Sequence, residues 1–328
     1  MSNKPKILVA RAIFPDQLAK LEESFEVRSN QADQVFTPEE LQKELSNVVG
    51  ALVTGSERID ASTLADAKSL KIVANIAVGY NNFDVPAITA AGVMASNTPG
   101  VLTDTTADFG FALLMATARR ITESEHWIRN GQWDQWSIVH NPLGMDLHHS
   151  TLGIIGMGRI GQGIAKRALG FGMKVIYHNR SRLAESDEKA CGATYVSKEE
   201  LLRTADHVVL VLPYTPQNHH TIGAKEIALM KPTATLVNIA RGGIVDDMAL
   251  AQALKEKKIF AAGLDVFEGE PKVNPELLKL SNIVLAPHIA SASEKTRRAM
   301  VDLAADNLRA ALAGQKPPSL INTELLQS

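Results

Sequence analysis

Cysteine is almost missing from this chain: Cys191 is the only one in 328 residues. A single thiol excludes an internal disulfide framework and a cysteine-rich metal centre, and it fits a reducing, cytoplasmic setting. Long apolar runs are missing as well. Ile7-Leu8-Val9-Ala10 is interrupted at once by Arg11, which is too short for a secretory signal. No segment approaches the ~20 apolar residues of a membrane span. Neither sign of charge dominates, since 34 Lys and Arg against 36 Asp and Glu give a formal net charge of -2. That balance offers no electrostatic reason to expect nucleic acid or an anionic membrane as partner. The pair His148-His149 invites a metal reading, but no cysteine or suitably spaced His and carboxylate set lies beside it, so no metal is expected.

What is present is alternation. Short apolar, β-branched runs recur at Lys6–Ala10, Gly50–Val53, Ile72–Asn75, Val93–Ser96, Leu152–Ile155, Lys174–Tyr177, His207–Leu212, Thr235–Asn238, Phe260–Leu264 and Ile283–Ala286. Continuous apolar runs of this length are the mark of parallel strands buried on both faces. Helical patterns separate them, among them Asp16–Glu23, Pro38–Leu45, Gly161–Phe171, Lys198–Arg203 and Asp246–Glu256. The alternation predicts an α/β protein with doubly wound parallel sheets, and the length suits two domains. One system runs to about residue 100. A long helical stretch, Thr105–Asn130, leads to a second that starts near Thr151. The segment Ser293–Leu312 is again helical and reads as a return to the first system.

The sharpest motif is Gly156-Met157-Gly158-Arg159-Ile160-Gly161, directly after an apolar strand and directly before a helix. In such a G-x-G-x-x-G turn the first glycine permits the sharp bend. The second lets the backbone approach a pyrophosphate, and the third lets helix and strand pack closely. The helix N-terminus, here with Arg159 and Ile160, then offers N–H groups and a positive dipole end to phosphate. The next strand ends in His178-Asn179-Arg180-Ser181-Arg182. An NAD site usually has an acidic residue there, bonded to the ribose 2′-hydroxyl. Asn179, Arg180, Ser181 and Arg182 instead suit a 2′-phosphate, with fork-shaped cationic donors and a hydroxyl. NADPH is therefore expected ahead of NADH.

Three further segments stand at strand ends, where open α/β sheets bind ligands. They deliver Arg241, Glu270 and His288. Reduction of a 2-keto acid needs a carboxylate anchor, a polarised carbonyl and a proton for the nascent alkoxide. Arg241 can hold the carboxylate and carbonyl oxygens with its planar fork. His288 can donate the proton, and Glu270 can hold the imidazole and favour its protonated form.

These motifs together, namely the glycine turn, Asn238-Ile239-Ala240-Arg241-Gly242, Gly263-Leu264-Asp265-Val266-Phe267-Glu268-Gly269-Glu270-Pro271 and Pro287-His288-Ile289, closely resemble the D-isomer-specific 2-hydroxyacid dehydrogenase family. The resemblance runs across nearly the whole chain and is nearest to the glyoxylate/hydroxypyruvate reductase branch with its 2-ketogluconate reductase relatives. It implies a Rossmann coenzyme domain, residues 104–289, inserted in a flavodoxin-like substrate domain made of residues 1–103 and 290–328. It implies NADPH-dependent reduction of glyoxylate, hydroxypyruvate or 2-ketogluconate, with His288 as acid/base, Glu270 as its partner and Arg241 on the substrate. Val78 and Gly79 would offer backbone N–H groups to the substrate carboxylate, and Ser291 would lie beside the substrate. Thr106 and Ile239 would line the nicotinamide site, Pro213 would sit near the cofactor, and Asp265 would bond the nicotinamide carboxamide. Family members are typically homodimers, and Trp136 is a candidate to reach the partner's active site. The chain departs from many relatives at Ala290, where they carry Gly, and at Asn81, where they carry Asp. Formate-oxidising relatives have Gln in place of Glu270 and phosphite-oxidising ones Lys in place of Val78, so both activities are disfavoured. A corepressor on the same fold is disfavoured by the missing strand-end acid.

Overall fold

The computed structural model describes residues 4–326. They fall into two compact units, the first from residues 4–102 with 293–326, the second from Thr103–Ala292. The first unit is built on β1 (Lys6–Val9), β2 (Glu26–Ser29), β3 (Gly50–Val53), β4 (Ile72–Asn75) and β5 (Met94–Ser96), with α1 (Pro15–Glu22), α2 (Pro38–Leu45) and α3 (Val85–Ala90) between them. All pairings are parallel, in the order β2-β1-β3-β4-β5, the flavodoxin-like order of a doubly wound sheet.

The unbroken apolar runs are explained by the pleat, which sends alternate side chains to opposite faces. Leu8, Ala51, Val53 and Val73 pack with Leu41, Leu45 and Ile88 on one face. Ile7, Val9, Leu52, Ile72 and Ala74 pack on the other with Leu21 and with Val301, Ala304 and Leu308. The last three belong to the C-terminal helix Glu294–Leu312, so the expected return to the first unit is real.

The second unit begins with α4 (Thr103–Ala118) and α5 (Ile121–Arg129). There follow β6 (Thr151–Ile155), α6 (Arg159–Leu169), β7 (Lys174–His178), α7 (Glu185–Cys191), β8 (Ala193–Tyr195), α8 (Lys198–Thr204), β9 (His207–Leu210), α9 (Ala224–Ile227), β10 (Thr235–Asn238), α10 (Asp247–Lys255), β11 (Ala261–Leu264), α11 (Pro275–Leu278) and β12 (Ile283–Leu285); the C-terminal helix is α12. Seven parallel strands order as β12-β11-β10-β9-β6-β7-β8. This is the Rossmann order with one strand added, and its direction reverses between β6 and β9. Crevices at the carboxyl ends of such a reversal are where doubly wound sheets bind ligands.

Two expectations need correction. The stretch Thr105–Asn130 is not one helix: Arg120 takes a left-handed backbone, φ 52°, and its guanidinium is held by Glu123 and by the Leu143 carbonyl. The tertiary contacts of that side chain stabilise a break that helical patterning does not show. The strands β2 and β8 were missed, because each is a short edge strand whose residues alternate exposure and so lacks the continuous apolar run of its neighbours.

Candidate active site

The β6–α6 turn has the geometry of a phosphate cradle. Gly156 has φ +103°, and a Cβ there would stand 2.4 Å from the Val211 carbonyl oxygen. The turn is thus pressed against the segment that leaves β9, at the point of strand-order reversal. A Cβ on Gly161 would fall 2.3 Å from the Gly156 oxygen, whereas Gly158 faces open space. Gly158 is the N-cap of α6 and no side chain caps that end, so Arg159 and Ile160 open a helix whose first N–H groups are left for a ligand. Pro213 is exposed beside this turn, its carbonyl taking Asn218 Nδ2 at 2.9 Å. Thr106 Oγ1, near the start of α4, is buried with no hydrogen-bond partner among the described residues. Ile239 is 6% exposed and lies against Gly110 of α4. These features fit a dinucleotide, which would supply hydride.

At the end of β7 some of the candidate side chains have partners of their own. Asn179 Oδ1 accepts the Met157 N–H at 2.7 Å, tying the strand end to the glycine turn. Arg182 is already engaged: Nε and Nη2 donate to the two oxygens of Glu188, each at 2.8 Å, and the Tyr177 hydroxyl donates to the same carboxylate at 2.6 Å. The Arg182 and Tyr177 hydrogen bonds hold the Glu188 carboxyl well below the usual range. Of the two arginines offered for a 2′-phosphate, then, Arg182 spends its fork on the protein. Arg180 and Ser181 are exposed and carry no ion pair among the described residues.

Beyond β10, β11 and β12 the three chemical side chains converge. His288 Nδ1 and Glu270 Oε2 are 2.8 Å apart, and Glu270 Oε1 accepts the Phe267 N–H at 2.8 Å. Burial pushes the Glu270 carboxyl up, but the hydrogen bonds from His288 and Phe267 and the charges of His288 and Arg241 outweigh it and hold the group below its ordinary value. Arg241 is deeply set, and desolvation lowers its pKa against the opposing pull of Glu270. Its Nη1 donates to the Ala240 carbonyl at 2.8 Å. Gly242 explains how the Arg241 turn comes so near the Glu270 loop: a Cβ there would lie 1.7 Å from the Phe267 oxygen. The Glu270–Pro271 peptide is cis.

His288 sits at φ 54°, a region that costs a non-glycine residue free energy and that active sites often retain. Asp265 holds it there. Its carbonyl accepts the His288 N–H at 2.9 Å, and its carboxylate oxygens accept Ile289 N–H at 2.7 Å and Ala290 N–H at 2.9 Å. The carboxyl is fully buried, and burial raises its pKa against those hydrogen bonds. Both Asp265 carboxylate oxygens thus serve the loop that presents His288. Ser291, half-buried, follows that loop.

In the first unit, Val78 and Gly79 lie on the loop after β4. Their carbonyls are taken by Asn97 Nδ2 at 2.8 Å and by Asn75 Nδ2 at 3.0 Å. Their N–H groups meet no acceptor among the described residues, which suits a carboxylate ligand.

Sequence reasoning missed two supports. Asn238 bridges the Arg241 turn, accepting Ala240 N–H and donating to the Arg241 carbonyl. Asp247 accepts the Glu268 N–H at 3.2 Å, and its carboxyl is pushed up to about 6, chiefly by burial. The adjacent Asp246-Asp247 pair is the available signal, since only one of two such residues can cap α10 and Asp246 does so.

Residues 111–290 match the model of the D-isomer specific 2-hydroxyacid dehydrogenase, NAD binding domain. The chain is 47% identical over 327 residues to the glyoxylate reductase of Thermococcus kodakarensis, covering 99% of this chain and 98% of that one. Among solved structures, a glyoxylate reductase from Paecilomyes thermophila superposes with a TM-score of 0.88 at 32% identity, covering 98% of this chain and 100% of the other. An NADPH-dependent glyoxylate/hydroxypyruvate reductase from Sinorhizobium meliloti, solved with NADP and malonate, gives a TM-score of 0.86 at 34% identity, covering 98% and 97%. On its sequence, its two doubly wound sheets and this convergence at the strand ends, the chain belongs to the D-isomer-specific 2-hydroxyacid dehydrogenases.

Proposed function

We propose that this oxidoreductase reduces small 2-keto acids, glyoxylate and hydroxypyruvate first and 2-ketogluconate as a larger candidate, to D-2-hydroxy acids with NADPH. The observation that carries the reading is the His288–Glu270 pair, 2.8 Å apart, beside the recessed Arg241. A nicotinamide cofactor supplies the hydride when bound. Glu270 engages Nδ1 of His288, so Nε2 is the atom left to deliver a proton to the developing alkoxide. Arg241 binds the substrate carboxylate and carbonyl oxygens, and its low-dielectric setting strengthens that attraction. The unpaired N–H groups of Val78 and Gly79 are assigned to the substrate carboxylate, and Ser291 to the substrate's flank. Thr106, whose buried hydroxyl lacks a partner among the described residues, and Ile239 are assigned to the nicotinamide, and Pro213 to the adjoining cofactor. Gly156, Gly158, Arg159, Ile160 and Gly161 hold the pyrophosphate.

NADPH is favoured because the β7 end bears Arg180 and Ser181 in the open and the Glu188 carboxylate beside it is neutralised by Arg182. A homodimer is favoured by the exposed apolar side chains of Trp133, Trp136, Ile138 and Val139, because contiguous exposed apolar surface usually marks an interface. Light scattering on the purified protein tests that assembly, and Trp136→Ala should raise KM if the tryptophan serves a neighbouring site.

Initial rates with glyoxylate and hydroxypyruvate, each with NADPH and NADH, test the function. Fast NADPH oxidation, slow NADH oxidation and a loss of at least ~10²-fold in His288→Ala are expected. Fast turnover with NADH would retain the reductase and discard the cofactor preference. No turnover of any small keto acid would discard the reductase.

A further inference from the structure

A second cluster of titratable side chains lies away from His288, on the loops that follow β9 and β11. His219 and His220 are consecutive, yet their rings stack, with centroids 3.8 Å apart and planes at 23°. The arrangement is imposed by the backbone. His220 adopts φ 50°, and its N–H donates to the Gly243 carbonyl at 2.7 Å.

Both rings present Nε2 to one carboxylate. His220 Nε2 is 3.1 Å from Glu268 Oε2, and His219 Nε2 is 3.8 Å from Glu268 Oε1. One ligand atom from each of the three residues lies within 4.8 Å of the others. The Nδ1 atoms have other neighbours: the Tyr214 hydroxyl is 3.3 Å from that of His219, and Asp246 Oδ2 is 3.9 Å from that of His220. In metal sites, a ligating histidine is commonly oriented by a polar partner at its second nitrogen.

A plain hydrogen bond accounts for His220 and Glu268. It does not account for His219, whose Nε2 is aimed at the same carboxylate from beyond hydrogen-bond range while its ring stacks on a second imidazole. Two imidazole Nε2 atoms and a carboxylate oxygen converging within 4.8 Å form a donor set suited to a borderline dication. All three side chains border solvent, so an ion can enter.

We propose that His219, His220 and Glu268 bind one divalent transition-metal ion of the Zn²⁺ class, through the two Nε2 atoms and a carboxylate oxygen, with solvent completing the coordination. The ion takes no part in hydride transfer in this proposal. It would clamp the 214–220 loop to the loop that carries Glu268 and, two residues on, Glu270. Binding only exchanges protons and solvent for ligands and leaves the metal's oxidation state unchanged.

The test uses the full chain, stripped with a chelator and titrated with Zn²⁺ against a chromogenic chelator of known affinity. His219→Ala, His220→Ala and Glu268→Gln are titrated in parallel, with His148→Ala as control. Wild type should take up a single equivalent, and each of the three cluster variants should bind about tenfold or more weakly, while the control is unchanged. Zn²⁺ should also raise the Tm of the wild type and not of Glu268→Gln, whose exposed, near-isosteric change keeps the fold, as metal-free circular dichroism will verify. Absence of saturable uptake, equal affinity in all three cluster variants, or weakening only in the His148 variant would each overturn the proposal.

Discussion

Asp265 and His288 are joined through the backbone: the Asp265 carbonyl accepts the His288 N–H at 2.9 Å, and the Asp265 carboxylate holds the next two amides. The left-handed backbone of the histidine is thus fixed by a buried acid that need not touch the reacting atoms. Asp265→Asn retains one acceptor and turns an NH₂ group toward an N–H. We expect it to cost about 1.5–3 kcal/mol of stability, the worth of a hydrogen bond to a charged group, and to lower kcat more than it raises KM. Urea unfolding and steady-state kinetics on one preparation check both; a stable variant with unaltered kcat would deny Asp265 this role.

Gly242 sets the approach of the Arg241 turn to the Glu270 loop. An added methyl at 1.7 Å from the Phe267 oxygen must displace one of the two backbones. Gly242→Ala should therefore destabilise the second unit by about 1–3 kcal/mol and lower kcat/KM, because Arg241 and Glu270 move apart. Normal kinetics in a folded variant would contradict this account of the close approach.

The two arginines after β7 should separate cleanly. Arg180→Ala should raise KM for NADPH and leave that for NADH nearly unchanged. Arg182→Ala should lower Tm, since the carboxylate of Glu188, 7% exposed, loses its bidentate partner. If Arg182→Ala instead abolishes the preference for NADPH at unchanged Tm, the division of labour is reversed.

His207 gives the second unit a pH dependence. It is 1% exposed, with Nδ1 at 2.9 Å from Thr235 Oγ1 and Nε2 at 3.1 Å from the Asp146 carbonyl. Burial lowers its pKa, against opposing contributions from the Asp146 carbonyl and the Asp206 charge. The unfolded chain therefore binds this proton more readily. The contribution of neutral His207 is fully present above about pH 6.5, the unfolded value, and is lost as pH falls toward the folded one. Its slope cannot exceed about 1.4 kcal/mol per pH unit. Urea unfolding from pH 8 to 5 should show the fall, and His207→Gln should flatten it. An identical slope in the variant would assign the dependence to another group.

Much of the site was legible because its chemistry is local. The glycine spacing needs only three neighbouring φ and packing demands, and the strand-end Arg, Glu and His each follow an apolar run that predicts its own strand. What escaped detection depends on side-chain partners that strand and helix patterning does not register. Arg182 reads as a free cation until the fold brings Glu188 and Tyr177 to it. The amides that Asp265 holds, at Ile289 and Ala290, lie some 24 residues on, and no local pattern announces that pairing. The break at Arg120 is held by a contact with Leu143, which helical periodicity cannot register.

By itself, the sequence determined the interior parallel strands of both sheets, through apolar runs that only burial on two faces can satisfy, and it determined the glycine turn, through the backbone freedom needed at Gly156 and the close packing needed at Gly161. The tertiary structure decided which charges are available and which are spent. It freed Arg180 and engaged Arg182, made Asp265 a scaffold, and brought two stacked histidines to Glu268. Availability depends on burial and on side-chain partners, and neither is set until the strands have paired.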